Sequence, residues 1–242
     1  MFKIALLIFS LISTITINLL ANILPLNNHT TQEIAYRLPA LFMPAGYAFF
    51  IWLFIYLLLA FWVWNIFKEN LHGQTISFKQ TILFVCSSIL NILWVFLWHY
   101  ELFACSFVVM SALLGILFLL YKTYPTDEQS WKNRLPISIY LGWVFVITIT
   151  NFDYLITFYE FSGWGITKSL WTVIFLTIAA ASALHFRYHY NDRSIVYVFI
   201  WAFIGIAVRH QLDELLIAAS SIFLSCVLIV GIIFIKKMPR KD

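Results

Sequence analysis

The residues best suited to chemistry lie in the stretch SSILNILWVFLW, residues 87–98. Ser87, Asn91, Trp94 and Trp98 follow an i, i+4, i+7, i+11 pattern, so on a helix they share one face. A second set repeats the theme in YLGWVFVITITN, residues 140–151, where Trp143 and Thr150 share a face and Asn151 lies beside it. Trp52 and Tyr56 form a third pair, one helical turn apart. An amide offers hydrogen-bond donors and an acceptor, and an indole offers one N–H and a broad apolar plane. That is recognition chemistry. No residue stands as a nucleophile beside a base, and G-x-S-x-G, Walker, H-E-x-x-H and paired-Cys motifs are all missing. The expectation is a protein that is not an enzyme and uses no metal or cofactor.

Other polar groups have blander readings. His185 and His189 are spaced i, i+4, as a metal pair would be, but no further ligand accompanies them, so they read as interfacial residues beside Arg187 and Arg193. Leu184, Tyr188 and Arg193 fit a loose cholesterol pattern that matches often by chance. Arg209, His210, Asp213 and Glu214 read as a solvated turn; in a re-entrant hairpin they would instead mark a proton or solute path. His99 and Glu101 fall in a short outer turn, and Asp153 at the outer interface. Cys86, Cys105 and Cys226, an odd number inside apolar sequence, read as free thiols.

The elements that must carry these residues follow from composition. Of 242 residues, 62% are hydrophobic and 11% charged, far from the balance of a soluble domain. Apolar runs near 4–24, 46–67, 78–98, 102–121, 135–153, 168–186, 194–209 and 213–235 are each close to the roughly 20 residues that a membrane helix needs. The first run is too long for the core of a signal peptide and lacks a clean cleavage site. The fold class is therefore all-α: a polytopic helical membrane protein with about eight transmembrane helices. Trp62 and Trp64 sit where an aromatic belt is expected. Segment 25–45, polar and then interrupted by Pro39 and Pro44, can fold back as a cap.

Eight spans put Lys3, Lys68, Lys79, Lys122, Lys132, Arg134, Arg187, Arg193, Lys236, Lys237, Arg240 and Lys241 on one side. Only Arg37, Lys168 and Arg209 of the 15 basic residues are left for the other. The Lys/Arg rule then places both termini in the cytoplasm, in a membrane of the bacterial inner (plasma) type. The net charge of +4 is spread between apolar runs and forms no patch, so nucleic acid is excluded as a partner. The partners expected are the bilayer, a hydrophobic small molecule and a second copy of the chain as a homodimer.

Three segments together resemble the TspO/MBR family, the tryptophan-rich sensory or translocator proteins. Tyr140, Leu141, Trp143, Thr148 and Asn151 are similar to the Y-L-x-W-x-x-x-x-T-x-x-N of that family's fifth helix. Leu90, Asn91 and Trp94 resemble the L-N-x-x-W of the third. Pro44, Gly46, Phe49, Trp52 and Tyr56 resemble the start of the second, with Ala45 and Tyr47 substituted and one residue fewer before Trp52. The family's W-Y-x-x-L-x-K-P in the first loop is absent; Ala35 to Pro39 stands roughly there, and Ser87 replaces a Gln. The resemblance covers 1–157 as a five-helix bundle and leaves 158–242 as additional helices without counterparts in five-helix members. It implies a cavity inside the bundle, closed by the first loop, that takes porphyrins or, in some members, sterols. Trp52, Tyr56, Asn91, Trp94, Trp143 and Asn151 are the ligand-binding candidates, and a tetrapyrrole is the ligand implied. The alternatives are a small-solute transporter using all eight helices, and a structural membrane partner in which Asn91 serves as packing glue.

Overall fold

Helices form wherever the sequence is continuously apolar, because a backbone in hydrocarbon must satisfy its own hydrogen bonds. The computed structural model describes residues 1–73, 76–125 and 131–235, with the backbone alone at 131 and 132. Its helices are α1 (Phe2–Ile23), α2 (Thr31–Arg37), α3 (Ile51–Leu71), α4 (Phe78–His99), α5 (Phe103–Tyr121), α6 (Trp131–Phe158), α7 (Lys168–Tyr190), α8 (Ser194–His210) and α9 (Leu215–Phe234). A 3-10 turn, Gly46–Phe50, leads directly into α3. Each of the eight apolar runs is helical. Seven are long and apolar enough to cross a membrane, counting the 3-10 turn with α3. The exception is α8, whose 17 residues give a rise of about 25 Å.

Local signals set several boundaries. Ser77 caps α4 by accepting from the Gln80 N–H at 3.1 Å, while Gln80 Oε1 accepts from the Ser77 N–H. The same box, Thr30 with Glu33, starts α2 inside the first loop. That helix lies within segment 25–45, read as a cap, and its T-x-x-E is legible in the sequence. Helix α7 ends at Asn191, which takes the left-handed conformation at φ 49°.

Helix α6 is the most enclosed of the seven long apolar helices. It packs against α3, α5 and α8, and Trp143, Val144 and Val146 are fully buried. Helices α1, α3, α4, α5 and α6 surround the candidate residues, and α8 joins them through α6 and the 3-10 turn. Two glycines permit that junction. A Cβ on Gly142 would meet Val198 Cβ at 3.2 Å, and one on Gly205 would meet the Cβ atoms of Ala48 and Pro44 at 3.0 Å. Helices α7 and α9 pack with α8 and complete the C-terminal group.

Trp62 departs from its expected belt position. It is fully buried, packs on Phe84 with ring centroids 4.8 Å apart and donates its indole N–H to the Tyr124 hydroxyl at 3.0 Å. Trp64 is exposed, with Lys68 Nζ 5.3 Å from its ring, as a belt residue should be. The three cysteines carry no disulfide. The basic C-terminal residues Lys236, Lys237, Arg240 and Lys241 lie outside the described residues, as does the side chain of Lys132.

Candidate ligand-binding site

Helix α1 carries a polar stripe of its own. Ser10, Thr14, Asn18 and Asn22 recur every fourth residue, and the Thr14, Asn18 and Asn22 side chains donate to the carbonyl one turn back. Asn18 has a second amide hydrogen, which goes to Asn91 Oδ1 on α4 at 2.7 Å. Asn91 in turn donates to the Tyr140 hydroxyl on α6 at 3.2 Å. One turn toward the cap, Asn151 Oδ1 accepts from the Trp94 indole at 3.2 Å and the Ser106 hydroxyl at 3.0 Å. The amides thus cross-link α1, α4, α5 and α6 where no water is available to replace a lost partner.

Beside this network lies a cavity of about 600 Å³. Its aromatic walls are two stacked pairs: Trp52 with Tyr56, centroids 5.8 Å apart, and Trp94 with Trp98, 5.9 Å apart. Asn18 and Asn22 of α1 and Ile147, Thr150 and Asn151 of α6 also line it. No Asp, Glu, Lys, Arg or His stands among the lining residues. Asn18 spends both amide hydrogens elsewhere, which leaves its Oδ1 as an acceptor, and the Tyr56 hydroxyl has no partner among the described residues. Leu19, Phe50 and Leu53 are both lining and exposed, so the cavity opens sideways between α1 and α3, toward lipid.

Of the six candidates, Trp52, Tyr56, Trp94 and Asn151 line the cavity. Asn91 and Trp143 stand behind the wall. Asn91 orients Asn18, and Trp143 backs Trp52 and Phe49 edge-on, with centroids 6.5 and 5.8 Å away. The Trp143 indole N–H is buried without an acceptor. Asn18 and Asn22 were legible by the same four-residue spacing that singles out Asn91. Gln32, Met43 and Tyr47 join the lining only through tertiary structure.

The first loop closes the end of the cavity where α1 finishes and α3 begins. Thr31, Gln32 and Ala35 of α2, with Met43 beyond it, form the roof. His99 and Glu101, expected in a plain surface turn, anchor this roof. His99 is fully buried, with Nε2 3.3 Å from the Thr31 hydroxyl, and its carbonyl accepts from Asn27 at 3.0 Å. Glu101 pairs with Arg37 at 2.6 Å, and the guanidinium holds its carboxyl below the usual range. Burial pushes the Tyr36 phenol up, so it stays neutral and donates to the Pro44 carbonyl at 2.7 Å.

The C-terminal group holds the same loop from outside. Arg209 donates to the Ala40 and Met43 carbonyls, each at 3.0 Å, with its guanidinium 5.1 Å from the Tyr36 ring centroid. His210 Nε2 lies 2.7 Å from the Leu41 carbonyl. Asp153, expected at the interface, is buried and accepts from the Phe42 N–H at 2.8 Å. The Ala45 N–H bonds the Gly205 carbonyl at 3.0 Å, and the Trp201 indole bonds the Ala48 carbonyl at 3.0 Å. The cluster expected as a solvated turn is in this respect a clamp. Isolated loop carbonyls need partners once an outer helix covers them, and Arg209 and His210 supply them.

A roofed cavity is thus walled by Trp and amide side chains from the first, second, third and fifth spans. The model of the family described as TSPO-like protein matches residues 4–234. The chain belongs to that family. The match runs past residue 157 and takes in α7, α8 and α9 of this TSPO-like chain. No individually curated protein and no solved structure matches it. Among the described residues no group of three or more His, Cys, Asp or Glu is placed to hold a metal ion, and the His185 and His189 rings lie tilted to one another with centroids 4.3 Å apart.

Proposed function

We propose that this integral membrane protein is a receptor or carrier that takes a flat, mostly apolar small molecule from the bilayer into the capped cavity. The observation that carries the reading is the cavity itself: about 600 Å³, two stacked aromatic pairs, and a few uncharged polar groups. Flat walls favour a flat ligand, and the sideways opening favours one that partitions into lipid. A porphyrin or related tetrapyrrole is the first ligand class to test and a sterol the second. The uncharged lining favours a tetrapyrrole whose carboxylates are esterified or stay outside the opening.

The test is quenching of intrinsic Trp fluorescence in purified protein titrated with a porphyrin, its dimethyl ester and a sterol. Saturable quenching that is lost in Trp52→Leu and Trp94→Leu variants supports the reading. Absence of saturable quenching with all three ligands overturns it. Flux in proteoliposomes then separates a carrier from a receptor. We place both termini on the cytoplasmic side of a bacterial plasma membrane, on the strength of the Lys/Arg partition. Reporter fusions at each terminus test that orientation.

A further inference from the structure

A second crevice lies on the far side of α6 and shares no lining residue with the capped cavity. It measures about 700 Å³ and runs between α5 and α7, with α6 as its floor. Leu114, Gly115 and Phe118 form one wall, Ile178 part of the other, and Leu141 and Phe145 the floor. Gly115 is a true gap: a Cβ there would meet nothing within 4 Å. The two hydroxyls in the crevice, Ser111 and Ser182, bond carbonyls of their own helices at 2.8 Å each, so the walls ask for apolar contact. From Ser111 to Phe118 the crevice extends about 10 Å, roughly a third of the hydrocarbon thickness.

Its polar end carries one fixed cation, Lys122, and two imidazoles, His185 and His189. Lys122 Nζ lies 5.7 Å from the Phe118 ring centroid. Phe118 packs on Phe186 and Tyr190, with centroids 6.0 and 6.1 Å away, and His185 lies 6.2 Å from each of those same two rings. His189 packs against His185, with ring centroids 4.3 Å apart and the planes tilted by 40°. Lys122, His185 and His189 are all exposed. Asp192, the described carboxylate nearest to His189 in sequence, is engaged elsewhere. Asp192 accepts from Tyr121 at 3.0 Å and Ser138 at 2.7 Å, pairs with Arg134 at 3.4 Å and caps the Ser194 and Ile195 N–H groups. Among the described residues, Lys122 has no ion-pair partner.

We propose that this crevice binds an anionic phospholipid, with the upper part of one acyl chain between α5 and α7 and the phosphate at Lys122, His185 and His189. An apolar slot fits a chain, and a cationic rim at the headgroup level of the same slot selects an anionic head. A neutral lipid would fill the slot and leave the rim unused. The lipid would also bridge α5 to α7, two helices that touch little of one another.

The experiment is thermal unfolding of the purified full chain in neutral detergent, titrated with dioleoyl phosphatidylglycerol, dioleoyl phosphatidylcholine, inorganic phosphate and a sterol. The expected result is saturable stabilisation by phosphatidylglycerol with an apparent affinity about tenfold above that for phosphatidylcholine, equivalent to about 1.4 kcal/mol. Inorganic phosphate alone should give none. Gly115→Leu, which fills the slot, and Lys122→Glu, which reverses the rim charge, should each abolish the preference. Ala181→Leu fills the slot from α7 if the Gly115 variant fails to fold. Equal stabilisation by the two phospholipids, stabilisation by phosphate or sterol instead, or a preference that survives the filled slot overturns the proposal. Porphyrin quenching in the slot-filled variant reads the other cavity, so the two readings fail separately.

Discussion

Replacing Arg209 by Met removes both guanidinium bonds to the Ala40 and Met43 carbonyls and keeps a long apolar stem of similar reach. A hydrogen bond to a charged group is worth about 1.5–3 kcal/mol, and water at the membrane surface can replace part of it, so the low end applies. Two such bonds give about 3 kcal/mol of local stability to the closed loop. At about 1.4 kcal/mol per tenfold, open conformations of residues 40–46 become roughly 100-fold more populated. Amide hydrogen exchange reads this without any ligand. The Phe42 and Ala45 N–H groups, now held by Asp153 and Gly205, should exchange about 100-fold faster, while amides in the middle of α4 and α6 stay unchanged. A ligand bound in the cavity should leave faster by up to the same factor, since Met43 is part of the roof. Exchange at Phe42 and Ala45 within threefold of the parent would refute the clamp as the force that keeps the loop closed.

Asn91→Leu breaks the bonds to Asn18 and Tyr140 and should lower stability by about 1–3 kcal/mol, given about 0.6–1.7 per interhelical bond in a membrane. Asn18→Leu should cost a similar amount, and the double variant less than the sum, as measured by unfolding in mixed micelles. Trp94→Phe should destabilise more than Trp143→Phe, because it strips a donor from Asn151 whereas the Trp143 N–H has no acceptor to lose. Gly205→Val should open the junction of α8 with the 3-10 turn, since even a methyl group there would stand 3.0 Å from Pro44 and Ala48; proteolysis within 40–48 would report it. The Arg37–Glu101 pair depresses the Glu101 carboxyl, so its contribution is present above the unfolded carboxyl range near 4.3 and is lost as pH falls through the lower folded value. Both side chains are about a third exposed, which limits the effect to under about 1 kcal/mol. Glu101→Gln should flatten that acid limb in a pH series of melting temperatures.

The sequence by itself determined the helices and the polar stripes that turn inward, though not the inward turn of Trp62. Apolar runs of membrane length leave a backbone no other way to bond itself, and amides every fourth residue need partners that lipid lacks. Those are local constraints, legible from spacing alone, and the stripe on α1 was as readable as the one on α4. The Thr30 and Glu33 box likewise announced α2. What spacing does not contain is the identity of the partner across the bundle. Asn91 meets Asn18 from 73 residues away, and Arg209 meets the Ala40 carbonyl from 169. Only the arrangement of helices decides whether an inward amide lines a cavity, as Asn151 does, or stands behind its wall, as Asn91 and Trp143 do. The same arrangement turned a cluster that read as a solvated turn into the clamp on the first loop, because α8 lies over carbonyls that would otherwise have been open to water.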